Sequence, residues 1–153
     1  MTATGAMPVT DVVTPRLLLR LPRASDAPLL ADIAEDWEVA EQTAFLPHPF
    51  TLADAEAWIA EAHSAVAGGA RFLVINLCDG GAPVGVIGLV PNERHYQVGY
   101  WIGRRYWGQG YATEAVTAAT QHAFEALGAH HVRVGVFVEN LASSRVLAKS
   151  GYL

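Results

Sequence analysis

Three short runs of β-branched and aromatic residues crowd the middle of the chain: RFLVINL from Arg71 to Leu77, PVGVIGLV from Pro83 to Val90, and YQVGYWI from Tyr96 to Ile102. The gaps between them are too short for a helix, and Asp79-Gly80-Gly81 is a hairpin-type turn. Strands that follow one another this closely pair as an antiparallel meander. Past Gly110 the pattern becomes helical: Ala112, Val116, Ala119, Ala123 and Leu127 share one face, and Gly128 stops it. HVRVGVFV, from His131 to Val138, is strand again. A strand, a helix and a second strand in one sheet make a parallel crossover. The chain is thereby held to an α/β fold with a mixed sheet.

The flanks add to this frame. Residues 1–14 read as a flexible N-terminal tail and residues 15–153 as a single domain. RLLLRL, from Arg16 to Leu21, is a strand that Pro22 stops. Ser25 or Asp26 can cap a helix whose apolar positions are Leu29, Leu30, Ile33, Ala34 and Trp37. FLPHPF at 45–50 is a rigid loop. Thr51 then caps a second helix, with Asp54 completing a capping box and Ala55, Trp58, Ile59, Ala62 and Val66 facing inward. Gly68-Gly69 ends it. Near the end of the sequence Asn140 caps a short helix with Val146 and Leu147 inward, Lys149 in its last turn and Gly151 after it. The order is β-α-α-β-β-β-α-β-α.

Composition excludes several classes of function. With 153 residues, 52% of them hydrophobic, the chain is one domain with a real core, and not a disordered segment. No apolar run approaches the ~20 residues that a membrane-spanning helix needs. One cysteine, Cys78, makes neither an internal disulfide nor a cysteine zinc site, and the histidines His48, His130 and His131 have no metal-ligand spacing, so no metal is expected. With no secretory pattern at the N-terminus, a cytoplasmic location is the expectation. Ten basic against fifteen acidic residues give a net charge of −5, which argues against a nucleic-acid partner. No Lys or Arg lies between Arg23 and Arg71, a window that holds Asp26, Asp32, Glu35, Asp36, Glu38, Glu41, Asp54, Glu56 and Glu61. The later half carries Arg94, Arg104, Arg105, Arg133, Arg145 and Lys149. The chain thus has an acidic front third and a basic back half.

The most informative stretch joins the third strand of the meander to the long helix: Arg104-Arg105-Tyr106-Trp107-Gly108-Gln109-Gly110-Tyr111-Ala112-Thr113. Two glycines at a helix start let the backbone turn tightly and a bulky group approach. The helix N-terminus adds free amides and the positive end of a dipole, and the arginines add charge. These are the parts of a phosphate or pyrophosphate site. It is not a Walker loop, since no Gly-Lys-Ser/Thr follows, and it is a poor dinucleotide fingerprint, since Thr113 stands where a third glycine belongs.

Arg105-x-x-Gly108-x-Gly110 resembles the acetyl-CoA pyrophosphate loop of the GNAT superfamily of N-acetyltransferases. Thr14-Pro-Arg16-Leu-Leu-Leu-Arg20, Tyr100-Trp101-Ile102, Asn140-Leu-Ala-Ser143 and Lys149-Ser-Gly151-Tyr152 are similar to motifs of its RimJ/RimL-like, ribosomal-protein N-acetyltransferase branch. The resemblance implies a GNAT-like acyl-CoA N-acyltransferase fold, with acetyl-CoA as co-substrate and a primary amine as acceptor. In the family the first two helices and their loop line the acceptor side, which here is the acidic window, so the amine would be cationic: an N-terminal amine of a basic protein, a polyamine or an aminoglycoside. Acetyl-CoA contacts would come from Trp101, Ile102, Arg104, Arg105, Gly108, Gln109, Gly110, Tyr111, Ala112, Thr113, Asn140 and Ser143. In the family, backbone amides of the strand before the loop, here around Trp101 and Ile102, polarise the thioester carbonyl, and Gly99 and Gly103 would allow local irregularity there.

The resemblance also bears on proton transfer. Many members place a tyrosine in the last helix seven residues after the asparagine; here that position is Leu147, which cannot donate. In the RimL-like branch a serine faces the sulfur, which makes Ser143 the candidate general acid, with Asn140 capping the helix and contacting the pantetheine arm. Asn140 and Ser143 also read as an ordinary N-cap pair. Branch members carry a glutamate where this chain has Gln97, so the base stays open between His95 and a water relay served by Glu41 or another front acid. Glu114, in the first helical turn, reads as a partner of its own helix dipole, and Trp37 and Trp58 as core. Two rivals remain: a CoA-binding domain without turnover, and a protein that holds nucleotide phosphates at the same loop. Family members continue for two further strands after the glycine-aromatic pair, so the domain is expected to be C-terminally incomplete. The strand at His131 would then be an open edge that invites a homodimer.

Overall fold

The computed structural model describes residues 9–34, 50–93 and 95–134. Their six strands form one sheet in sequence order: β1 (Val12–Val13), β2 (Leu17–Arg20), β3 (Arg71–Leu77), β4 (Pro83–Asn92), β5 (His95–Ile102) and β6 (His131–Val134). β1 to β5 are antiparallel to their neighbours, and β6 is parallel to β5. The helices are α1 (Ala27–Ala34), α2 (Leu52–Ser64) and α3 (Tyr111–Glu125). Short connections join β1 to β2, β3 to β4 and β4 to β5, β2 meets β3 antiparallel across the long segment that holds α1 and α2, and α3 carries the chain back so that β6 runs parallel to β5. Val12 and Val13, placed in the tail by the sequence, instead pair with Leu19 and Leu18. Trp37, Glu41, His48, residues 45–49, Arg94, Arg145, the strand beyond Val134 and the last helix with Asn140, Ser143, Leu147 and Lys149 lie outside the described residues.

The sheet has a core on each face. Leu17, Leu19, Leu73, Ile75, Leu89 and Val98 pack with Ala115, Val116, Ala119 and Ala123 of α3. Val74, Val86 and Trp101 pack on the other face with Leu30, Ile33 and Ala34 of α1, Phe50, and Ala55 and Ile59 of α2. Alternation along β3 explains the division of Leu73 and Ile75 from Val74. In β4 it breaks once: Val84 sits on the α3 face and Val86 on the other. The β3–β4 register shifts at this place, with Ile75 opposite Gly85 and Asn76 opposite Pro83. An extra residue in β4 flips the side-chain parity, which is what a bulge does.

Local expectations meet these helices with two corrections. Thr51 caps α2 as expected: its hydroxyl accepts from the Asp54 amide at 3.1 Å, and the Asp54 carboxylate accepts from the Thr51 amide at 3.0 Å. Leu29, expected inward, is exposed on α1 while Leu30 and Ile33 are buried. Asp26 does not cap α1 from outside. It lies within a 3₁₀ turn (Ala24–Asp26), is buried, and accepts from the Arg23 amide and from both terminal nitrogens of buried Arg20 at 2.8 and 2.9 Å. Asn76 of β3 also accepts from Arg20, so this pair ties the start of α1 to two strands.

Candidate active site

β5 ends at Ile102, and the Gly103 amide donates to the Val84 carbonyl at 2.8 Å, which fixes where the chain leaves the sheet. A 3₁₀ turn (Arg104–Tyr106) follows, then Gly108 at φ 77° and Gly110 at φ 83°. Both glycines occupy the left-handed region, where a β-branched residue is strained. Gly110 is the N-cap of α3, with no side chain capping the turn, and the first helical bond runs from the Glu114 amide to the Gly110 carbonyl at 3.1 Å. The amides of the first turn ahead of Glu114 therefore have no acceptor within the helix and face the helix mouth. A Cβ at Gly108 would meet no atom within 4 Å, so there is open space above the loop. This arrangement fits a pyrophosphate, which needs amides, a positive dipole end and room for close approach.

The side chains of the loop are tied in different ways. Trp107 donates from its indole nitrogen to the Ile102 carbonyl at 2.7 Å, so the ring is anchored back onto the end of β5 while 40% of the residue stays exposed. Gln109 donates to the Arg105 carbonyl at 3.4 Å. Arg105 donates to Asp32 of α1 at 2.9 Å, with both side chains more than half exposed. Such a pair is weak and can yield to a phosphate. Arg104 is exposed beside it.

Beneath the loop lies a latch that sequence reasoning missed. The Arg16 guanidinium donates to the Glu114 carboxylate at 2.7 Å and to the Gln109 carbonyl at 2.8 Å, and it lies 4.6 Å from the centre of the Tyr111 ring. The Arg16 amide donates to the same carboxylate at 2.9 Å, and the Thr14 hydroxyl donates to it through a short bond. Burial pushes the Glu114 carboxyl up, but the bonds from Thr14 and Arg16 outweigh it and hold the group below the usual carboxylate range. Glu114 is therefore more than a partner of its own helix dipole. It joins the start of β2 to the start of α3 across 98 positions of sequence, which is why no local pattern revealed it.

On the opposite face of the sheet, between β3–β5 and α1–α2, is a cavity of about 540 Å³. Trp101, Gln97 and Gly99 of β5 line it, with Trp58, Asp54 and Glu61 of α2. Trp58, expected in the core, is half-buried: it packs against the second core cluster and also walls this cavity. Gln97 is exposed at the rim. His95 starts β5 opposite Asn92 and His131 and is not among the lining residues. The geometry thus brings Trp101, Ile102, Arg104, Arg105, Gly108, Gln109, Gly110, Tyr111, Ala112 and Thr113 to one strand–loop–helix junction. Among the described residues no group of His, Cys, Asp and Glu could hold a metal ion, and no helix is long and apolar enough to cross a membrane.

Comparison with known proteins gives the same frame. Residues 16–153 match the family model described as Acetyltransferase (GNAT) domain. The uncharacterized N-acetyltransferase YoaA of Bacillus subtilis is 35% identical over 72 residues, 45% of this chain and 41% of YoaA, so the match spans less than half of that relative. A GNAT-family acetyltransferase from Bacillus anthracis superposes with a TM-score of 0.83 at 24% identity, over 93% of this chain and 82% of that one. RimJ of Mycobacterium smegmatis, solved with CoA-disulfide, superposes at 0.75 and 24% identity, over 86% and 68%.

Proposed function

The chain belongs to the GNAT acetyltransferase family, and from that premise we propose that it is an N-acetyltransferase that moves the acetyl group of acetyl-CoA to a primary amine. The observation that carries this is the junction of β5 and α3: two left-handed glycines, an uncapped helix start and adjacent arginines. Acetyl-CoA supplies an activated carbonyl on a thiolate leaving group. The first-turn amides of Tyr111, Ala112 and Thr113, with Arg104 and Arg105, hold its pyrophosphate. Backbone amides near Trp101 and Ile102 donate to the carbonyl oxygen as charge builds on it. Ser143 is assigned to protonate the leaving sulfur and Asn140 to hold the arm, both by resemblance to the RimL-like branch. Gln97 cannot take a proton and His95 does not line the cavity, so the amine loses its proton through water relayed to His95 or to an acid such as Glu41. Asp54 and Glu61 at the cavity favour a cationic acceptor. An exposed free Cys78 fits a reducing, cytoplasmic setting.

The test is release of CoA thiol with a panel of amines, run beside calorimetry with acetyl-CoA and with ATP. Turnover on at least one amine and binding of acetyl-CoA in preference to ATP are expected. ATP binding alone would sink the assignment, and acetyl-CoA binding without turnover would make the chain a non-catalytic CoA binder. Ser143→Ala should lower turnover at least about tenfold with acetyl-CoA affinity nearly intact. Equal activity in that variant removes Ser143 from the mechanism.

A further inference from the structure

The cavity beside β5 has a specific structural cause. Phe72, Gly88 and Gly99 form one row across β3, β4 and β5, Phe72 paired with Gly88 and Gly88 with Gly99. By strand alternation this row shares the face of Val74, Val86 and Trp101, which α1 and α2 cover. Two of its three positions have no side chain, so the layer between sheet and helices thins along this row, and Gly88 and Gly99 both line the cavity. The Phe72 ring leans into it: a Cβ built on Gly88 would lie 3.0 and 3.1 Å from two ring atoms.

The walls decide what could enter. Trp58, Phe72, Val86, Leu30 and Trp101 are apolar, and among the described residues none that lines the cavity is basic. A volume of about 540 Å³ is that of a small-molecule site and far above the ~30 Å³ share of one water. Asp54 and Glu61 lie on the same side of α2 as Trp58, spaced four and three residues from it. The amide and hydroxyl of Thr51 hold the Asp54 carboxyl below the usual carboxylate range, so it stays charged. A polyamine or an aminoglycoside carries more charges and hydroxyls than Asp54 and Glu61 can pair, and would set the rest against apolar walls.

We propose that the acceptor is a primary amine carried on an aromatic body, the ring seated over Gly99 beside Phe72 and Trp58 and the ammonium drawn in by Asp54 and Glu61 before it loses its proton. This rests on the acetyltransferase assignment above, which it deepens by naming the acceptor class. The ring is that of a free arylalkylamine or of the first residue of a peptide, and the assay distinguishes these sources.

The experiment measures kcat/KM for tryptamine, for a peptide that begins with tryptophan, for propylamine and for spermidine, with calorimetric binding of tryptamine and spermidine to the CoA-loaded protein. The aromatic amines should exceed propylamine and spermidine at least about tenfold, the scale of a filled against an empty apolar pocket. Gly88→Ala, which presses its methyl group on Phe72 and narrows the slot, and Trp58→Ala, which removes a wall, should each cut the tryptamine-to-propylamine ratio about tenfold. Trp58→Phe should restore part of it. Spermidine turned over as well as tryptamine, or a ratio unmoved in both variants, overturns the proposal while leaving the acetyltransferase assignment intact. Tryptamine that binds in a Trp58-dependent way without being acetylated supports the slot and overturns the activity. Absence of both binding and turnover overturns the slot as well.

Discussion

Arg16 sends its guanidinium in three directions at once: to the carboxylate of Glu114, to the carbonyl of Gln109 inside the glycine loop, and over the face of Tyr111. These contacts hold the loop in position. Lysine could satisfy the charge but not the planar, forked geometry. Arg16→Gln is therefore expected to raise the KM for acetyl-CoA about tenfold with a much smaller change in kcat, and Arg16→Lys should recover only part of the loss. A variant that lowers thermal stability while leaving the KM for acetyl-CoA unchanged would show that the residue holds only the fold.

At the scale of elements, what fixes α1 is less its own sequence than the buried pair of Arg20 and Asp26. Burial pushes the Asp26 carboxyl up, but bonds from Arg20 and the Arg23 amide outweigh it and keep the group below the usual range. Removing one partner leaves the other buried and uncompensated. Asp26→Ala should cost about 3 kcal/mol or more, read from the urea midpoint. A loss under about 1 kcal/mol would mean that water reaches Arg20 freely. α2 depends on local chemistry instead. Thr51 and Asp54 form a capping box legible in the sequence because all its parts lie within four residues.

For the whole molecule, the sheet separates two layers: α3 on one face, α1, α2 and the cavity on the other, with β5 contributing to both and leading into the glycine loop. His122, Asp26 and Glu114 push its stability in one direction with pH. His122 is held below its ordinary value of 6.5 by burial and by Arg71, against a smaller pull from Glu125, so below that pH the unfolded chain binds a proton that the folded protein resists. Asp26 and Glu114 are also held below their ordinary values of 3.8 and 4.5, and the stability they give is lost as pH falls through their lowered values. Urea midpoints should fall steadily from pH 6.5 downward, and His122→Gln should flatten the first part of that slope. A midpoint unchanged between pH 6.5 and 5 would contradict the assignment to His122. The sequence alone determined the mixed sheet, the crossover helix and the glycine loop, because strand and helix periods, turns and Gly108-x-Gly110 are written in contiguous residues. It could not show that Arg16 reaches Glu114, that Trp58 walls a cavity, or that Gly88 meets Gly99. Each of these depends on strand register and helix packing, which place side by side residues that no local pattern connects.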